Sequence, residues 1–139
     1  MRKTIYYLLT FTWGIIMTFI GMLAAAVLLS IGKRPEKYGP CWAFTIGNGW
    51  GGVSLGPVII MSEANAKGTR TRPHEFGHSL QNCLWGPLFP FVIAIPSATR
   101  LMYRNHLIDK GTPPTTGYDD IWFEGQATEW GNKYIKYFQ

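Results

Sequence analysis

Charge is confined to parts of this chain. From Thr4 to Gly32 no residue carries a charge, and a second uncharged stretch runs from Ser79 to Thr99. All 13 lysines and arginines and all 8 acidic residues lie outside those stretches. Hydrocarbon excludes charge, so this segregation predicts a membrane protein. As one helix, Thr4–Gly32 is long enough to cross a ~30 Å hydrocarbon core with some tilt. Its apolar run exceeds that of a signal peptide, and no small-x-small cleavage site followed by a polar segment appears, so an uncleaved anchor over residues 1–33 is expected. Arg2 and Lys3 before it balance Lys33, Arg34 and Lys37 after it, which leaves its orientation open.

Beyond the anchor the pattern changes. Tyr38–Met61 contains two apolar, β-leaning runs, Cys41–Ile46 and Val53–Met61, around "GNGWGG". Asn48-Gly49 is a strong turn dipeptide, so the simplest expectation is a β-hairpin. The polar Ser62–Gly68 reads as a loop. A helix follows over "TRPHEFGHSLQN", with Pro73 suited to its first turn. Leu84–Ala98 is apolar but only 15 residues long, ~22 Å if helical, and Pro87, Pro90 and Pro96 interrupt it. That predicts a helix that breaks near Pro87 or Pro90 and turns back. Asp119–Phe138 predicts an amphipathic helix capped by Asp119 or Asp120, with Phe123, Ala127, Trp130, Tyr134 and Tyr137 on one stripe.

Composition adds little to this. With 139 residues the chain makes one domain beyond the anchor, residues 34–139. The net charge of +5 suits lipid headgroups, and no basic patch interleaved with aromatics points to nucleic acid. Cys41 and Cys83 make no Cys-x-x-Cys pair and read as two small buried apolar residues, with a disulfide left open.

The chemistry centres on His74, Glu75 and His78. Four residues apart on a helix, the two histidines lie about 40° apart on one face and can share a cation. Glu75 lies about 100° round, placed to hold a water on that metal rather than to bind it. A zinc ion there would lower the water's pKa towards ~7, and Glu75 would take its proton. A third protein ligand is needed, and Glu63, His106, Asp119, Asp120, Glu124 and Glu129 are the candidates. Glu129 falls on the polar side of the last helix and pairs at i,i+4 with Lys133, so it reads as solvated. Glu124 sits at the edge of the aromatic stripe with Thr128, Gly131 and Ile135 on its face. A carboxylate turned inward among small residues needs a partner, and Gly131 and Thr128 would let another helix come close. Glu124 is therefore the expected third ligand. Tyr118, Tyr103 and His106 are polar groups near the right region for stabilising an oxyanion.

His74-Glu75-x-x-His78 with a glutamate on a later helix resembles the gluzincin branch of zinc metallopeptidases. Gln81 and Leu84 stand where the longer metzincin form wants Gly and His. The gluzincin Glu-x-x-x-Asp, whose acid orients a metal-bound His, is matched by Glu124 and Ala127, while Thr128 replaces the acid. Arg72 and Pro73 also depart from the zincin pattern. "GGVSLGP", "HEFGHSLQ", "GPLFPFVIAIPS" and "WFEGQATEWGNK" are similar to a group of small bacterial membrane proteins that bring no known substrate; the similarity covers most of residues 50–133. The resemblance implies an integral protein of the bacterial inner membrane, with the lipid bilayer and a peptide or protein substrate as partners. A full crossing by Leu84–Ala98 would put His74 and His78 on the other side of the membrane from Glu124, so the metal reading requires that run to fold back. The expectation is an α+β membrane protein: transmembrane helix, β-hairpin, metal-binding helix, proline-broken apolar hairpin and C-terminal amphipathic helix around a minimal zincin-like core. His74, His78 and Glu124 would hold Zn2+, with Glu75 as general base of a metallopeptidase. The alternatives are a structural zinc staple with a fourth ligand, His106 or Glu63, and a metal-free interaction subunit.

Overall fold

The computed structural model describes residues 3–139. The fold is mixed α+β. Helices α1 (Lys3–Phe11) and α2 (Ile15–Ser30) lead into a small sheet of β1 (Glu36–Tyr38), β2 (Cys41–Thr45), β3 (Gly52–Leu55) and β4 (Val58–Met61). A short α3 (Glu63–Lys67), then α4 (Thr71–Trp85), α5 (Ile95–Asp109) and α6 (Trp122–Tyr134) complete it.

The single N-terminal helix expected from composition is instead two helices meeting at 92°. The corner at Thr12–Gly14 is held from outside: Asn82 donates its side-chain amide to the Gly14 carbonyl at 3.3 Å, and the Trp13 indole donates to the Leu84 carbonyl at 3.3 Å. A Cβ on Gly14 would run into the Asn82 side-chain amide, so a larger residue there would displace the group that holds the corner. No single described helix is long and apolar enough to cross a membrane; two bent pairs, Lys3–Phe11 with Ile15–Ser30 and Thr71–Leu88 with Pro90–Asp109, pass on length and composition together. Ile16, Phe19, Ile20, Leu23 and Val27 of α2 leave their side chains exposed, whereas Met17, Ala25 and Leu28 are buried.

The expected hairpin about Asn48-Gly49 is also corrected. The strand order is β1-β2-β4-β3, with β2 parallel to β4 and β3 antiparallel to β4. "GNGWGG" does reverse the chain, through Gly47, Gly49 and Gly51 at positive φ, but the tight hairpin turn falls at Gly56-Pro57. The cause is burial. All four residues of β4, Val58–Met61, are buried, and an apolar strand of that kind takes the central position. β3 carries Gly52 and Ser54 and is left at the sheet edge, beside α4. Two smaller expectations change. Within the predicted loop Ser62–Gly68, Ser62 accepts a bond from the Asn65 amide and caps α3. Asp119 and Asp120 do not cap α6, which starts after Ile121 with no side-chain cap. Asp120 bonds the Gly117 amide instead, and Asp119 is engaged at the site described below.

The proline-interrupted run behaves as predicted. α4 ends at Gly86, where φ is +53°, and Pro87 and Pro90 cannot donate amide bonds that would continue it. A 3-10 turn, Gly86–Leu88, and a π turn, Pro90–Ala94, lead into α5, bent 119° from α4. The chain comes back, so α6 can lie against α4. That contact is built on glycine: a Cβ on Gly77 would overlap the Ala127 carbonyl, and one on Gly131 would overlap the Pro73 carbonyl. Phe76, Leu80 and Cys83 of α4 face a core with Tyr6, Cys41, Ile59, Met61 and Phe138, flanked by Trp130 and Tyr134. Cys41 and Cys83 are both buried and free.

Candidate metal centre

α4 and α6 bring three donor atoms together. His74 Nε2 and His78 Nε2 each lie 3.1 Å from Glu124 Oε2, and 3.1 Å from one another. His74, His78 and Glu124 are all buried, Glu124 completely. This group can hold a metal ion, and among the described residues no fourth His, Cys, Asp or Glu joins it. Of the other ligand candidates, Glu63, His106, Asp120 and Glu129 are exposed.

The surrounding hydrogen bonds fix which nitrogens carry protons. Gln81 Nε2 bonds the Phe123 carbonyl at 2.8 Å, which can only accept, so this side of the amide is its NH2. Gln81 Oε1 therefore faces His78 Nδ1, 2.7 Å away, and that nitrogen must carry the hydrogen. On the other ring, Thr128 donates to Asp119 Oδ1 at 3.1 Å and so accepts from His74 Nδ1–H at 2.8 Å. Arg70 holds Asp119 in turn at 2.8 Å. Both neutral imidazoles are thereby left with bare Nε2 lone pairs, aimed at each other and at a carboxylate oxygen. Ser97 donates to the other oxygen, Glu124 Oε1, at 2.5 Å. Three lone pairs converging at this distance repel unless a cation lies among them.

A proton on His78 is favoured by the same arrangement. Burial alone would depress His78, but the bond to Glu124 and the charge of Glu75 outweigh it, and its pKa rises above 6.5. Burial would raise Glu124, but the two imidazoles and Ser97 bring it well below 4.5. A metal fits the same space. Zinc ligands at about 2.0–2.1 Å in a tetrahedron are separated by about 3.3 Å, close to the spacing seen here.

Thr128 stands where the gluzincin pattern has an acid that orients a metal-bound histidine. The structure shows a relay: Thr128 passes the bond from His74 to Asp119, which enters from the turn before α6. Gln81, Ser97 and the linking role of Asp119 were not foreseen. Gln81 lies at i+3 from His78, a signal available in the sequence. Ser97 and Asp119 reach the site only through the fold-back and the α4–α6 contact.

Glu75 is 5% exposed and does not join the donor triangle. Burial pushes its carboxyl above 4.5, against the pull of His78 and His74. Its carboxylate lies against Gly52 of β3, where a Cβ would approach within 2.7 Å of Oε1. Two clefts of about 210 Å³ each meet here, both lined by Gly52, Glu75, Leu101 and Tyr118. The Tyr118 ring packs edge-on to His74 at 5.7 Å, and Arg100 grips the carbonyls of Gly117 and Tyr118. Burial and the Glu124 charge push the Tyr118 hydroxyl up, so it stays a neutral donor. Tyr103 and His106 are exposed and line neither cleft. No family model, no curated protein and no solved structure matches this chain.

Proposed function

We propose that this chain is a membrane-anchored zinc metallopeptidase of gluzincin type. His74, His78 and Glu124 hold the metal, and Glu75 is the general base. The observation that carries the reading is the set of fixed tautomers, which point two imidazole lone pairs and one carboxylate oxygen at a common centre while Glu75 stands beside them, uncommitted, in a cleft. Three protein ligands with a position left open is the arrangement of catalytic zinc; structural sites close with four. A zinc ion held by His74, His78 and Glu124 would supply a Lewis acid to polarise a carbonyl and acidify water.

The chain's own groups account for the rest of the reaction. Glu75 takes the proton from the attacking water as its oxygen bonds to the peptide carbonyl carbon. The same carboxyl then gives that proton to the leaving nitrogen as the C–N bond breaks, yielding a carboxylate and an amine. Tyr118, whose neutral hydroxyl belongs to a side chain lining both clefts, would donate to the charge that develops on the carbonyl oxygen. The uncharged Thr4–Gly32 stretch and the exposed apolar face of α2 support insertion in a bilayer, and the resemblance to small bacterial membrane proteins makes that the inner membrane.

Metal analysis of the purified protein tests the site, with one zinc per chain expected and none in His74→Ala. A Glu75→Gln variant that keeps its zinc but loses peptide hydrolysis supports catalysis. Unchanged hydrolysis in that variant would remove Glu75 from the mechanism.

A further inference from the structure

The two clefts at Glu75 differ in character. The inner one runs between β3 and the start of α5 and is lined by Val53, Phe89, Ile93, Ala94, Leu101 and Met102. The outer one is lined by Asn65, Arg70 and Thr71, with the backbone of Gly51 and Gly52. Ala94, at the end of the π turn, and Leu101, in α5, both line the inner cleft. Met102 of that lining is 72% exposed, and Leu88, Phe91 and Ile95 along the bend are exposed apolar side chains too. Apolar side chains thus run from the wall of the inner cleft to the surface, while Asn65, Arg70 and Thr71 put polar groups in the wall of the outer one.

Ser54 lines the inner cleft, is 6% exposed, and its buried hydroxyl has no hydrogen-bond partner. A buried hydroxyl left unpaired is costly, and an incoming polar group would relieve it. Ser54 lies on β3, an edge strand hydrogen-bonded on one side only. A hydrocarbon chain offers nothing to that hydroxyl or to a strand edge, whereas an extended peptide offers both an amide and a carbonyl.

We infer that the site takes an amphiphilic peptide whose apolar block enters the inner cleft, whose polar block lies in the outer cleft, and whose backbone bonds Ser54. On the function proposed above, the bond cut is the one at the junction of the two blocks, beside Glu75; the binding itself does not depend on that function.

The test uses the full chain carrying Glu75→Gln, in nanodiscs, with zinc content measured on the same sample. Anisotropy follows three labelled peptides: an apolar block joined to a polar block, an all-polar peptide and an all-apolar one. A single-chain phospholipid serves as competitor. The joined peptide should bind at least about tenfold more tightly than either uniform one. Ala98→Trp, which fills the inner cleft, should abolish that preference, and Ser54→Ala should weaken the joined peptide by about threefold to tenfold. Equal binding of the all-polar peptide overturns the inference, as does unchanged binding in Ala98→Trp. Competition by the lipid, with no peptide bound, would make the inner cleft a lipid site instead. A sample without zinc that still prefers the joined peptide sinks the enzyme reading and leaves the peptide site standing.

Discussion

Thr128→Val isolates the relay behind His74. Valine keeps the shape of threonine and removes only the hydroxyl that accepts from His74 Nδ1–H and donates to Asp119. Arg70 still occupies Asp119, so the change falls on the imidazole. His74 is 7% exposed, and its Nδ1–H would lose its partner in a site with little water, at a cost of about 1–3 kcal/mol. The ring can avoid that cost by moving its proton to Nε2, which destroys the metal-binding lone pair. Either route weakens zinc. Loss of such an outer partner lowers metal affinity by about 10–100-fold, or about 1.4–2.7 kcal/mol. Thr128→Ser retains the hydroxyl and should stay within about threefold of the parent. A titration against a chromophoric zinc chelator measures all three proteins. If Thr128→Val binds zinc as tightly as the parent, or if serine and valine are equally damaging, the relay does not set the tautomer.

Other outcomes follow from the same geometry. Gly131→Ala, which on an open helix would add up to about 1 kcal/mol of stability, should here force α6 off α4, lower the Tm by several degrees and abolish zinc binding; calorimetry and metal analysis read both. In the zinc-free protein the contribution of the Glu124–His78 pair to stability should be greatest between about pH 4.5 and 6.5, while Glu75, whose carboxyl burial holds above its ordinary value, works against it as pH rises past 4.5. Glu124 is held below its ordinary value, so its contribution is complete above 4.5 and is lost as pH falls; His78 is held above its ordinary value, so its contribution is complete below 6.5 and is lost as pH rises. Added zinc should remove the decline on the alkaline side, and a melting series with and without EDTA tests this. Alkaline carbonate washing should leave the parent in the membrane pellet, while paired Phe19→Glu and Leu23→Glu substitutions on the exposed face of α2 should release it.

How much of this was legible in the sequence depends on range. The α4 site came from local periodicity, since His74, Glu75 and His78 lie within little more than one turn. The place of Glu124 beside the histidines was legible because a carboxylate turned inward among small residues needs a partner. The proline-broken return was legible because Pro87 and Pro90 remove donors whatever surrounds them. The sheet was misread because Asn48-Gly49 signals a reversal without saying which strand fills the neighbouring slot; the burial of Val58–Met61 decides that. The N-terminal bend was invisible because Thr12–Gly14 is shaped by Asn82 and Leu84, far along the chain. The tie of Asp119 to Thr128 exists only once the turn before α6 has folded, so nothing local in the sequence announces it.

The N-terminal corner also carries a consequence for biogenesis. Tyr6 and Thr10 are fully buried, and their hydroxyls bond Ser79 and Cys83, 73 residues later in each case. Asn82 and Leu84 complete the corner at Gly14 and Trp13. While a ribosome is still making the strands, none of these partners has been synthesised. At that stage the Tyr6 and Thr10 hydroxyls and the corner at Trp13 and Gly14 lack the partners they bond in the finished fold. The full set of bonds that holds the right angle forms only once α4 has been made. Replacing Asn82 or Ser79 should therefore loosen the first two helices from α4, and faster amide exchange over Lys3–Phe11 would report it.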